Sequence, residues 1–388
     1  MDKIPILEKF SVFMRNLVKE VIQFSYYILW LVIDPRKFAV IRKSKIKNIL
    51  VVSGGAIGDI YNIIGIMNSF EEKNDVNLYF LTLEKNRKFV KNPRIKTTNL
   101  SEAKRMIDKR EIDAAILIDP AREREIFDRT FFIKTLKIPY VVSTDAFKLN
   151  PSSIKKNFPI LANRKVFPVN ANGPGSYIRL FNLLPFKVKK PEFYYTKEGE
   201  KFANSFYKKN ADKDEKVVII HPCSAKIVSA IKEGNTPAHL WPVERWAELI
   251  GKIVKDKKFK VVITGVKDEA EITDKIYALI KNKKEVVYAV GKVPDIESLA
   301  SIVKRANCVI TLDTSMSHIS AQAGTPEVVI YSSHSPKIVS PLTNNRIDIY
   351  HKDKAHDCRK YACEYCHNVH MKSISVDEIY SAAMKLIS

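Results

Sequence analysis

Three groups of residues have the types and spacing that chemistry needs. The first is Ser53-Gly54-Gly55-Ala56-Ile57-Gly58-Asp59, which follows the apolar run NILVVS and leads into a helix-compatible stretch. Gly54, Gly55 and Gly58 permit a tight turn and let a ligand approach the backbone closely. Asp59 then stands at a helix N-terminus, where the dipole keeps a carboxylate ionised and able to take a proton from a hydroxyl. The same placement fits a plain helix cap, and spacing alone does not separate the two. The G-x-G-x-x-G spacing of a dinucleotide fingerprint is absent.

The second group is Asp313-Thr314-Ser315-Met316-Ser317-His318, directly after the strand-like CVITL. A helix is expected from about Ser317. Free backbone N–H groups together with the hydroxyls of Thr314, Ser315 and Ser317 make a cradle for a diphosphate, and His318 adds a donor in the first turn. An ordinary capped strand–turn–helix has the same composition. The third group is His356, Cys358, Cys363, Cys366, His367 and His370, near the C-terminal end. Three thiolates with nearby imidazoles supply enough ligands for a tetrahedral structural zinc. Packed, redox-inert cysteines and a disulfide are the competing readings, and a catalytic metal is not expected.

The elements that must position these groups alternate between strand and helix. Asn48–Ser53, Leu78–Leu83, Ala114–Ile118 and Pro139–Thr144 are apolar runs of strand length, separated by polar helix-compatible stretches. A second series holds Val217–His221, Lys260–Thr264, Val286–Val290, Cys308–Leu312 and Val328–Tyr331. Repeated βα units predict a parallel sheet with helices on both faces, so the chain reads as two such domains in succession. Residues 186–215 are charged, hold only a short helix-compatible stretch, and read as the connection. Val243–Lys255 and Val376–Ile387 read as amphipathic helices. Ligands of open parallel sheets bind beyond the carboxyl ends of the strands, so two such edges facing one cleft suit a donor and an acceptor.

Composition narrows the partners. The chain has 388 residues, with 65 Lys and Arg against 43 Asp and Glu, a net charge of +22. Such a surface attracts phosphates, nucleic acid or an anionic membrane face. No nucleic-acid-binding signature is present, so no nucleic-acid partner is expected. Five cysteines, three of them within nine residues, do not make a secreted disulfide framework, and a reducing cytoplasm is expected. Lys9, Arg15, Lys19 and Glu20 interrupt the first apolar stretch, which excludes a secretory signal. Phe24–Ile33 is about half the length needed to span a bilayer. Residues 1–47 therefore read as an amphipathic segment followed by a basic cluster, from Arg36 to Lys47, suited to peripheral association with an anionic inner membrane face. Packing on the protein's own core or on another subunit is the other use of such a segment.

Taken together, these sites resemble glycosyltransferase family 9, the ADP-heptose lipopolysaccharide heptosyltransferases. Gly55-Ala56-Ile57-Gly58-Asp59 is similar to the family's S-x-I-G-D, and Asp313 to Ala323, DTSMSHISAQA, to its D-[ST]-G-x-x-H-x-A-x-A. His221-Pro222-Cys223-Ser224 resembles H-P-G-[AS], Trp241-Pro242-x-x-Arg245-Trp246 resembles W-P-x-x-x-W, and Gly265-x-x-x-Glu269 resembles G-x-x-x-E. The resemblance runs over residues 47–388. It implies a GT-B architecture: two Rossmann-like doubly wound parallel-sheet α/β domains facing a central cleft, here with an extra N-terminal amphipathic helix. The expected divisions are residues 1–47, an acceptor domain over 48–195 and a donor domain over 196–388 with the Cys/His-rich tail at 356–370.

The resemblance also implies an inverting displacement at the anomeric carbon with no required cofactor. Asp59 would be the general base. Thr314, Ser315, Ser317 and His318 would hold the diphosphate, Asp313 would orient the donor sugar, Glu269 would contact the ribose, and Ser224 would touch a phosphate. Two positions depart from the pattern. Ser315 stands where the family has glycine, and His239 stands before Trp241 where the family often has lysine; Lys226 or Lys232, on what reads as a longer loop, would replace that charge. The expected activity is transfer of a heptose-like sugar from an ADP-sugar donor to a lipid-linked glycan acceptor, on the cytoplasmic side of the membrane. Transfer to a protein acceptor or from another nucleotide sugar, and a catalytically silent binder of the same fold, are the alternatives.

Overall fold

Apolar runs without alternation belong to strands covered on both faces, and that is where they fall. The computed structural model describes residues 46–55, 57–72, 75–118, 131, 134–135, 137–144, 166–167, 174–188, 190–234, 237, 239–255, 258–332, 335–351 and 369–388. The N-terminal segment through residue 45, and with it the expected amphipathic helix, lies outside the described residues.

The first sheet holds β1 (Asn48–Val52), β2 (Asn77–Leu81), β3 (Ile95–Thr98), β4 (Ala114–Leu117), β5 (Tyr140–Thr144) and β6 (Val166–Phe167) in the order β3-β2-β1-β4-β5-β6. The second holds β7 (Lys216–His221), β8 (Phe259–Ile263), β9 (Val286–Tyr288), β10 (Cys308–Leu312), β11 (Glu327–Ile330) and β12 (Arg346–Ile349) in the order β12-β11-β10-β7-β8-β9. Every pairing is parallel. Renumbered from its own first strand, the second sheet repeats the order of the first. Both are doubly wound sheets of the Rossmann type, and in each the order reverses beside the first strand.

The helices that matter for the site are α1 (Ile57–Glu72), α2 (Leu100–Asp108), α3 (Pro174–Phe181), α4 (Lys197–Asn210), α5 (Ala225–Lys232), α6 (Val243–Ile253), α7 (Ala270–Leu279), α8 (Ile296–Val303), α9 (Ser315–Ala323) and α10 (Val376–Ile387). Several differ from the sequence reading. The charged connection contains α4, fourteen residues long, capped by Thr196 and packed on α8 through Gly199 and Ala203. Residues 225–232, read as a loop, are the capped helix α5. Helix α9 begins at Ser315 rather than near Ser317, because Thr314 has extended backbone and takes the N-cap position itself.

Each sheet is buried on both faces. In the first domain Ile49, Val51 and Phe80 pack toward α1 and α3, while Leu50, Val52 and Leu81 pack toward α2. In the second, Trp241 and Trp246 meet edge to face at 4.9 Å inside the core that α6 and α10 share. Trp241 Nε1 donates to the Ile374 carbonyl at 3.1 Å, and Arg245 donates to the same carbonyl at 2.5 Å. The Trp-Pro-x-x-Arg-Trp run is thus structural: it fastens the C-terminal helix to the second sheet. No helix among the described residues is long and apolar enough to cross a membrane.

Candidate active site

Strand β1 ends in Ser53-Gly54-Gly55, and α1 starts almost at once. Asp59 is the third helical residue, so it is past the cap position. Its Oδ1 accepts a hydrogen bond from the hydroxyl of Tyr177 at 2.9 Å, across 118 residues of chain. The carboxylate is held by a side chain of α3. Gly55 lets the turn lie against it, since a Cβ there would stand 3.0 Å from Asp59 Cβ and 3.4 Å from Oδ2. Gly54 is buried beneath the turn.

The second strand-end site is a pocket lined by Ser224, Lys226, His239, Asp313, Thr314 and Ser332, with Ile227, Leu312 and Ile330 as apolar lining. It lies where β7 and β10 adjoin, the point at which the second sheet reverses its order. Thr314 caps α9 by accepting from Met316 N at 3.2 Å, and Ser224 caps α5 by accepting from Ile227 N at 3.4 Å. Two helix N-termini therefore open toward one pocket, an arrangement that favours an anion. Lys226 lies beside Asp313 on the pocket wall. His239 Nδ1 bonds the Ser332 hydroxyl on the same wall.

Other members of the expected set have different surroundings. Lys232 is exposed in the last turn of α5 and does not line the pocket. Ser317 is fully buried and donates to the Thr314 carbonyl at 2.8 Å, so its hydroxyl braces the turn. Ser315 is the first residue of α9, and its backbone is outside the left-handed region that would call for glycine. Glu269 is 4% exposed, and its Oε2 accepts from Val266 N at 2.9 Å in the turn after β8. His370 is buried in a short helix at Val369–Ser373. Cys358, Cys363, Cys366 and His367 lie outside the described residues. Among those described, no group of three or more His, Cys, Asp or Glu side chains is placed to hold a metal.

The pocket's electrostatics follow from its depth. Removal from water pushes the Asp313 carboxyl up to about 6, with Lys226 opposing the rise and Asp348 adding to it. His318 is pushed down to about 4, chiefly by removal from water and further by Arg346, so its ring is neutral near pH 7. Its Nδ1 is buried without a hydrogen-bond partner among the described residues.

The two strand-end sites meet through their helices. α1 packs on α9. A Cβ on Gly58 would stand 3.4 Å from His318 Cδ2 and 3.8 Å from Nε2, so the glycine next to Asp59 is what the imidazole rests against. Gln322 Nε2 on α9 donates to the Tyr61 carbonyl on α1 at 3.1 Å. The helix that carries Asp59 in the first domain is thus packed on the helix whose N-terminus opens toward the second-domain pocket. Tyr177 was not found by sequence reasoning, because it stands in no motif and reaches Asp59 only through tertiary packing; Ser332 lies in GTPEVVIYSS, a segment similar to the family's G-x-P-x-V-x-L-[FY]-G, but was not singled out.

Two successive doubly wound domains packed together in this way are the GT-B architecture of sugar-transferring folds. The family model for glycosyltransferase family 9 (heptosyltransferase) matches residues 175–368. The chain belongs to that family. It is 26% identical over 185 residues to the lipopolysaccharide core heptosyltransferase OpsX of Haemophilus influenzae, covering 47% of this chain and 48% of the relative. The chain thus spans about half the length of that curated relative. Among solved structures, a glycosyl transferase family 9 protein from Veillonella parvula superposes with a TM-score of 0.66 at 18% identity, over 89% of this chain and 99% of the other. The E. coli ADP-heptose lps heptosyltransferase II superposes with a TM-score of 0.61 at 15% identity, over 88% and 98%. Both share the fold.

Proposed function

We propose that the chain is an inverting glycosyltransferase that moves a heptose-like sugar from an ADP-activated donor to lipopolysaccharide core or a related surface glycan. The observation that carries this reading is the close approach of Gly58 to His318, which brings the helix bearing Asp59 against the helix that opens on the anion-favouring pocket. Family membership and the activities for which the relatives are named support the sugar, the ADP donor and the glycan acceptor.

In this reading Asp59 takes the proton of the acceptor hydroxyl as its oxygen attacks the anomeric carbon. The bond from that carbon to the diphosphate breaks, and its electron pair leaves with the phosphate. The N-termini of α5 and α9, with Lys226 and His239, receive the growing negative charge in a site poor in water. Ser224, Thr314 and Ser315 contribute hydrogen bonds to the diphosphate, Asp313 orients the sugar and Glu269 the ribose. The protein supplies all of this from its own side chains, with no cofactor. The excess of Lys and Arg supports a place at the inner, anionic membrane face, where a lipid-linked acceptor resides.

The test is nucleotide release from ADP-heptose with a lipid-linked core acceptor, comparing wild type with Asp59→Ala. Loss of a positioned general base is expected to lower turnover by roughly 10²- to 10⁴-fold. Equal release by the two proteins would remove Asp59 from the mechanism. Tight donor binding without turnover by wild type would favour the silent binder.

A further inference from the structure

We propose that Tyr177 is a positioning residue for the Asp59 carboxylate, fixing which of its oxygens meets the acceptor hydroxyl. The proposal rests on the reading of Asp59 as general base. Tyr177 sits in α3, far from the motifs, and its hydroxyl donates to Oδ1 at 2.9 Å. Among the described residues it is the one hydrogen-bond donor to that carboxylate.

The phenol is a fixed donor. Its residue is 1% exposed, and its ring is packed in the first-domain core with Ile60, Ile63 and Phe181. α3 in turn packs on α1, the helix that carries Asp59. A carboxylate on a short side chain turns about its Cβ–Cγ bond with little resistance, and a single strong hydrogen bond to one oxygen removes that freedom. On the other side Gly55 leaves room for Oδ2, where any larger residue would press on the side chain. Oδ1 is therefore assigned to the protein and Oδ2 to the substrate.

The proton bookkeeping is consistent with this division. A phenol is a far weaker acid than a carboxyl group, so Tyr177 keeps its proton. The acceptor's O–H bond breaks, its proton passes to Oδ2, and Oδ1 becomes the carbonyl oxygen of the acid. That carbonyl still accepts from Tyr177, so the bond persists through the step and nothing has to rearrange. Productive orientation thus exists before the substrate arrives.

The experiment measures steady-state transfer from ADP-heptose by Tyr177→Phe, Asp59→Ala and the double variant, with a thermal melt of each. Tyr177→Phe keeps the buried ring and removes only the hydroxyl. It is expected to lower kcat roughly 10- to 100-fold, the worth of a hydrogen bond to a charged group, with the donor KM and the melting temperature little changed. In the Asp59→Ala background the same substitution is expected to cost nothing more, because the group it acts through is gone. Wild-type kcat in Tyr177→Phe overturns the proposal, as does an equal fold-loss in both backgrounds, which marks a purely structural role. Full activity in Asp59→Ala would instead sink the general-base reading, so the two failures are distinct.

Discussion

Asp313 stands at the end of a buried strand, on the wall of the pocket it shares with Lys226, and its titration has a measurable consequence. The folded chain holds the Asp313 proton up to about pH 6, whereas an unperturbed aspartate releases it near 3.8. Between those values the folded state binds more protons than the unfolded state, so this group makes stability fall as pH rises through the window. The shift corresponds to a cost of at most about 3 kcal/mol above the window. Asp313→Asn should therefore melt several degrees higher than wild type at about pH 7.5 and level with it at about pH 4, by scanning calorimetry. If Asp313 orients the donor sugar as proposed, the same variant should also bind and turn over donor poorly.

At the scale of elements, the α1–α9 seam depends on small residues. A Cβ on Gly65 of α1 would meet the Gln322 amide of α9 and stand 2.9 Å from Pro191 Cβ. Helix propensity alone favours alanine over glycine by about 1 kcal/mol. Overpacking a tight contact costs about 1–3 kcal/mol, and the backbone-linked Pro191 has little room to move. The second effect is expected to win, so Gly65→Ala should lower stability by roughly 1 kcal/mol in urea unfolding. Adding Gln322→Ala should recover part of the loss, and a Gly65→Ala protein as stable as wild type would show that the seam is loose.

The same scale shows what was legible beforehand. The runs NILVV, AAIL, KVVIIH and CVITL become strands because sheets buried on both faces need unbroken apolar residues. β3 (IKTT) and β12 (RIDI) went unread because each is an edge strand with part of its surface in water, so its sequence carries no such run. α4 was undervalued because only Gly199 and Ala203 among its residues are buried, and its charged face hides the helical period. The carboxylate and the Asp313–His318 turn were visible from strand-end position and residue type. Tyr177 was not, since a phenol in a helix 118 residues from its partner leaves no local signal.

At the scale of the whole molecule, charge is the dominant feature. Residues 1–47 hold ten Lys and Arg against four Asp and Glu, so most of the net +22 belongs to the rest of the chain. If the inner membrane face is the working location, the full chain should co-sediment with phosphatidylglycerol vesicles in low salt. Binding should fall steeply by about 0.5 M salt, where screening extinguishes attraction beyond a few ångströms. Removal of residues 1–45 should weaken this binding without abolishing it. Retention in high salt would point to apolar insertion instead, and no binding to anionic vesicles would end the membrane proposal.

The Gln322–Tyr61 bond ties the lobes together close in sequence to both Asp59 and His318. Were the lobes to swing about this tie, points near it would travel least while the outer rims swept widest. A wide guest admitted in that way would enlarge the mouth far more than it separated Asp59 from His318.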